Sequence, residues 1–100
     1  MIPESIKIGA KTYSVQQMPV LSDQEECGHC HPTKQIIRID STLPPTEKEE
    51  TLLHEVLHAC CNFAGISMEN ENEKLTEEQF VMRVSPILYT VLKENGFWNQ

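Results

Sequence analysis

Residues 46–65 read TEKEETLLHEVLHACCNFAG, and their reading decides the fold. Thr46 and Glu49 stand at the spacing of a capping box, in which hydroxyl and carboxylate each satisfy an orphan backbone donor, so a helix is expected to begin here. Leu53, Val56, Leu57, Cys60, Phe63 and Ala64 recur at helical intervals and are expected to form its core face, with Gly65 as terminator. Inside this helix lies His54-Glu55-Val56-Leu57-His58. An α-helix turns once every ~3.6 residues, so the two imidazoles share a face one turn apart, with a carboxylate between them. Rings so placed reach a single ion, and Glu55 is placed to take a proton from water. This is donor chemistry that suits zinc.

Upstream, Ile6-Lys7-Ile8 and Tyr13-Ser14-Val15 alternate apolar and polar residues around Gly9-Ala10, the pattern of a β-hairpin with one buried face. Gln35-Ile36-Ile37-Arg38-Ile39 is a β-branched run stopped by Asp40 and Pro44-Pro45. Downstream, Thr76-Glu77-Glu78-Gln79 is a second capping box. Val81, Val84, Ser85, Leu88, Val91 and Leu92 then continue at helical spacing to Asn95-Gly96. Pro86 inside that run removes a backbone donor, so a kink or opened turn is expected. Polar loops are expected at 22–26 and 68–74. The whole reads as one α+β domain: a small antiparallel-rich sheet of three to four strands within residues 1–41, a metal-bearing helix over 46–64 and a second helix over 76–95.

In a chain of 100 residues, any site must be a groove on one small body. Acidic residues outnumber basic ones 15 to 8, a net charge of −7, which argues against nucleic-acid phosphates or an anionic membrane as partner. A protein or peptide partner is expected instead. The first residues, Met1-Ile2-Pro3-Glu4-Ser5-Ile6-Lys7, lack a basic region followed by an apolar run, and no stretch approaches a membrane span. A cytoplasmic setting is expected, with Cys27, Cys30, Cys60 and Cys61 as reduced thiols or ligands.

A reactive zinc site takes three protein ligands and keeps a fourth position for water, so His54 and His58 need one partner more. Cys61 shares their stripe but lies about 10.5 Å from His54 along the axis, too far to converge on one ion. Glu78 precedes Val81 by three residues and Ser85 by seven, which puts it on the inward stripe of the second helix. Helical phase therefore favours Glu78, with Glu77 as the alternative and Glu69, Glu71 and Glu73 as weaker candidates in a loop. Cys27-Gly28-His29-Cys30 has the spacing of half a structural zinc site, but adjacent Cys60 and Cys61 point about 100° apart and make a poor second half. Reduced thiols, with Cys60 in the core, are the preferred reading. His29, His31, Tyr13 and Tyr89 carry hydrogen-bond donors suited to a reaction intermediate but are expected as exposed polar residues, and Phe97 and Trp98 as terminal packing.

Taken together, the segment 51–59, the 36–40 strand, and Glu78-x-x-Val81 through 88–95 resemble the minimal gluzincin-like zinc peptidases of phage and mobile-element type, relatives of the ImmA/IrrE and SprT-like proteins. The resemblance runs from Cys27 onward. It implies a zincin-like fold with a small sheet on the metal helix, Glu55 as catalytic acid and base, and a downstream glutamate ligand, for which Glu78 best matches. The cysteine pairs and Pro86 depart from the pattern. The expected function is a zinc-dependent peptidase whose substrate lies along an exposed 35–39 strand; the alternative is a non-catalytic, zinc-stabilised interaction module.

Overall fold

The computed structural model describes residues 2–19, 27–65 and 75–98. The loops expected at 22–26 and 68–74, with Glu69, Glu71 and Glu73, fall outside the described residues. Four strands, β1 (Ser5–Ile8), β2 (Lys11–Met18), β3 (Gly28–His31) and β4 (Ile36–Asp40), form one sheet in the order β1-β2-β4-β3. The β1–β2 hairpin turns through Gly9, whose φ of +60° favours glycine. Its Cα also lies under the Phe63 ring, where a Cβ would come within 2.4 Å of ring carbons. The β3–β4 pairing is antiparallel and β2–β4 is parallel, so the sheet is mixed with two antiparallel pairings of three.

Side chains on a strand alternate between faces, and here one face carries Tyr13, Val15, Ile37 and Ile39, each at most 9 % exposed. Helix α1 (Pro45–Ala64) lies on that face and contributes Leu52, Val56 and Ala59 at helical spacing. Each large aliphatic side chain fully buried there contributes roughly 1.5–3 kcal/mol. Helix α2 (Glu77–Glu94) packs against α1 and, among the described residues, no other helix or strand. Arg38, with its Nε donating to Gln16 at 3.2 Å, is on the opposite, open face of the sheet.

Three expectations about α1 change. The helix begins at Pro45, a good first residue because it has no N–H to leave unsatisfied, and no side chain caps it. Glu49 therefore sits beyond capping range and turns inward, 4 % exposed, accepting from the Tyr89 hydroxyl at 2.7 Å and from Lys93 Nζ at 3.1 Å. The core stripe is partly rotated from its expected phase: Leu53 is buried as expected, but so are Leu52, Ala59 and Cys61, while Cys60, Phe63 and Ala64 are exposed. The rotation follows from two neighbours, the sheet below and α2 beside it, each claiming a separate apolar strip. Gly65 ends the helix in the left-handed conformation, φ +70°, as expected.

In α2 the capping box forms, with Thr76 Oγ1 accepting from Gln79 N and Gln79 Oε1 accepting from Thr76 N, both at 3.1 Å. The helix is uninterrupted through Pro86, so the opened turn is absent. Its buried residues are Val81, Ser85 and Tyr89; Val91 is exposed. Trp98 packs edge-on against Tyr89, ring centroids 5.7 Å apart, whereas Phe97 is exposed. Strand β4 is not an edge. It is hydrogen-bonded to β2 on one side and β3 on the other, so the exposed edge beside the helices is β3.

Candidate active site

A groove of about 1200 Å³ runs along α1 between β3 and the start of α2. His54 and His58 project into it one helical turn apart, their ring centroids separated by 5.0 Å. Glu78, the second residue of α2, reaches across to both: one carboxylate oxygen is 3.1 Å from His54 Nε2 and the other 2.6 Å from His58 Nε2. Donor atoms of His54, His58 and Glu78 all lie within 4.8 Å of one another, the one such group of three among the described residues. The Thr76 cap fixes where α2 starts, and the small, buried Ser85 one turn beyond Val81 suits a close approach of the helices. Both acids also sit in the first turn, where the helix dipole favours negative charge.

The two acids take different places. Glu77 accepts from His58 Nδ1 at 2.7 Å, on the side of the ring away from Nε2. Electrostatics divide the two histidines accordingly. Burial lowers the His54 pKa, and the facing Glu78 only partly offsets it. Burial also acts to lower His58, but the hydrogen bond to Glu77 and the charges of Glu78 and Glu55 outweigh it, so its pKa is raised.

Glu55, 8 % exposed, turns from α1 toward β3. A Cβ on Gly28 would stand 3.3 Å from Glu55 Oε2 and 2.6 Å from the Thr51 methyl, so the missing side chain at residue 28 is what allows helix and strand to come this close. Cys30 and Cys61 line the same groove. Burial, then the negative charges of Glu55 and Glu77, push the Cys30 thiol up to about 11, and burial followed by Glu77 raises Cys61. Both are neutral thiols at physiological pH and poor nucleophiles. A cysteine–histidine mechanism is therefore disfavoured despite the nearby imidazoles.

Among the other sequence candidates, His29 lines the groove and His31 stands beside it, ring centroids 4.2 Å apart, on the side of β3 opposite Cys30. Tyr13 and Tyr89 are not exposed polar residues: Tyr13 is 1 % exposed in the core, and Tyr89 is buried against Glu49. Neither lines the groove. All four cysteines are free, and they form no donor group of three among the described residues. Sequence reading missed the Gly28 contact and the Cys61 wall. Only the first left a trace, a glycine within a strand, which commonly marks close approach of another element.

No curated protein and no solved structure matches the chain. The model of peptidase family M78, described as the IrrE N-terminal-like domain, matches residues 8–82, from the end of β1 through the first turns of α2.

Proposed function

The chain belongs to the IrrE N-terminal-like family of peptidase domains, and from that premise we propose that it is a zinc-dependent peptidase in which His54, His58 and Glu78 hold the ion and Glu55 is the general base. The observation that carries this reading is the Glu78 carboxylate spanning both Nε2 atoms, at 3.1 and 2.6 Å. Two imidazoles and a carboxylate form a donor set that suits zinc, and three protein ligands leave a vertex open, as reactive rather than structural sites do. When bound, zinc supplies Lewis acidity that polarises a scissile carbonyl and acidifies water. Glu55 takes the proton of the attacking water on its carboxylate and returns it to the leaving amine nitrogen.

The substrate in this reading is an extended peptide, bound along β3 rather than along 35–39. Asp40 N donates to Cys27 O at 2.8 Å, so the antiparallel alternation turns the backbone groups of Cys27, His29 and His31 toward β4 and those of Gly28 and Cys30 away from it. A peptide added there pairs through its backbone, which gives affinity with little sequence selectivity. The excess of acids supports a protein or peptide partner rather than nucleic acid or membrane. No helix among the described residues is long and apolar enough to cross a membrane. A cytoplasmic setting, part of the same proposal, is supported by the free thiols along the groove.

The test compares wild type with Glu55→Gln for bound zinc and for cleavage of a quenched-fluorescent peptide library. The expected result is one zinc per chain in both and a loss of roughly 10²–10⁴-fold in hydrolysis for the variant. A wild type that holds zinc and cleaves nothing hands the case to the non-catalytic interaction module. One that binds no zinc defeats both readings.

A further inference from the structure

The two consecutive acids at the start of α2 divide a task between them. Adjacent helical residues point about 100° apart, so Glu77 and Glu78 straddle the His58 ring rather than sharing one side of it. Glu78 meets Nε2 at 2.6 Å; Glu77 meets Nδ1 at 2.7 Å. These ring nitrogens face opposite edges of the imidazole. A carboxylate held by Nδ1 is therefore out of reach of an ion held by Nε2, and Glu77 is excluded from the ligand set by the bond it already makes.

We propose that Glu77 is a positioning residue, which fixes the orientation and tautomer of His58 through Nδ1 so that Nε2 presents its lone pair to the metal. The proposal rests on the zinc-site reading given above. A neutral imidazole carries one proton, and ligation through Nε2 requires that proton to be on Nδ1. Glu77 Oε1 accepts it there at hydrogen-bond distance, with the His58 side chain 21 % and the Glu77 side chain 33 % exposed. An exposed ion pair loses most of its value to solvent, but this one is half-buried and it orients a ring whose alternative rotations would carry Nε2 away from Glu78. The anionic acceptor also raises the basicity of the imidazole as a ligand. For His54 the contact among the described residues is at Nε2, with Glu78, and none there holds its Nδ1 as Glu77 holds that of His58. His58 is the better anchored of the two ligands.

The experiment measures zinc affinity by competition with a chromophoric chelator in wild type, Glu77→Ala, Glu77→Gln, Glu78→Ala and His54→Ala. In the cobalt(II)-loaded forms it also records the visible spectrum and the exchangeable Nδ1–H resonance of His58. Removing an outer carboxylate from a ligating histidine costs about 10–100-fold in affinity, and Glu77→Ala is expected to lose that much. Its cobalt spectrum keeps the wild-type coordination number, and its Nδ1–H resonance is lost to solvent exchange. Glu77→Gln, which retains an acceptor oxygen of the same length, recovers the resonance and most of the affinity; a merely structural role for Glu77 would leave the resonance in place in every variant. Wild-type affinity in Glu77→Ala overturns the proposal. So does a loss as deep as that of Glu78→Ala with a changed cobalt spectrum, which would make Glu77 a ligand. Undiminished zinc binding in both Glu78→Ala and His54→Ala would instead bring down the metal-site reading itself.

Discussion

Replacing Tyr89 with Phe tests how the two helices are held together, because it removes one oxygen and leaves the ring where it is. The hydroxyl donates to Glu49 at 2.7 Å, and Glu49 is 4 % exposed, so water is poorly placed to substitute. Lys93 reaches the same carboxylate oxygen at 3.1 Å but is 42 % exposed along its side chain, and its share is screened. The edge-on packing of residue 89 against Trp98 survives the change, since a phenyl ring presents the same edge. What is lost is a hydrogen bond to a buried charge, about 1.5–3 kcal/mol. For a domain of this size each kcal/mol moves Tm by ~4–8 °C, so the variant melts roughly 6–24 °C lower.

The assay is urea and thermal unfolding of the metal-free protein, with Glu49→Gln and the double variant completing a cycle. A coupling energy of about 0.5–3 kcal/mol is expected between the two positions. The clamp and the Glu78 contacts lie toward opposite ends of one α1–α2 interface, so on the reading proposed above zinc acts against the loss by mass action. Zinc at ~100 times its Kd adds about 2.7 kcal/mol to the folded state and restores most of the Tm. A shift below about 0.5 kcal/mol, or no coupling in the cycle, would mean that Glu49 is satisfied without Tyr89 and that the helices are held by their apolar contacts alone.

Three further outcomes are expected. Thr76→Ala removes the α2 cap at a cost of about 1 kcal/mol and frays the turn that carries Glu77 and Glu78, so zinc binding, read by chelator competition, weakens several-fold; unchanged affinity would show that the first turn is held from α1 instead. Gly28→Ala drives a Cβ to 2.6 Å from the Thr51 methyl and 3.0 Å from the Arg38 carbonyl, which costs about 1–3 kcal/mol in urea denaturation and displaces Glu55; wild-type stability would mean that β3 is free to slide outward. Both tyrosines titrate late. Burial first, then the bond to Glu49, pushes Tyr89 up to about 12, and burial chiefly raises Tyr13. Because folding favours the neutral phenol, this stabilisation is fully present below the unfolded pKa of about 10 and is lost as pH rises toward 12. Phenolate absorbance near 295 nm is therefore expected to stay low at pH 10 in the folded protein and normal in urea; half-titration at pH 10 while folded would contradict the burial.

Most elements were legible because they announce themselves locally; β3, whose residues read as a cysteine pair, was not. Alternation around Gly9 gave the hairpin, the β-branched run 36–39 gave β4, and the caps at Thr76 and Gly65 fixed two helix ends within a residue. Helical spacing alone put His54 and His58 on one face, and phase alone favoured Glu78, the acid that meets both. What escaped the sequence is which neighbour each side chain faces. Strand β4 read as an edge because nothing in its residues says that β3 comes back to pair on its far side. The core face of α1 was misphased because two neighbours, the sheet and α2, divide it, and Glu49, an acid that local rules assign to a cap, turns inward to partners, Tyr89 and Lys93, that lie 40 and 44 positions away.

The same distinction explains why Glu77 resisted assignment. By phase it competes with Glu78 for one role, and a sequence offers no second role for it. Only the ring of His58, standing between the two side chains with a nitrogen toward each, separates them. Burial then separates the two: in water either contact is worth little, but the Glu77–His58 pair is half-buried, whereas Glu78 is 55 % exposed and its contacts are the more screened. The chemistry of this groove therefore depends on where α2 begins, a choice made by Thr76 and Gln79 through two 3.1 Å hydrogen bonds. A helix started one residue later would keep Val81, Ser85 and Tyr89 in register but unwind Glu77 from the first turn, and His58 would lose its partner at Nδ1.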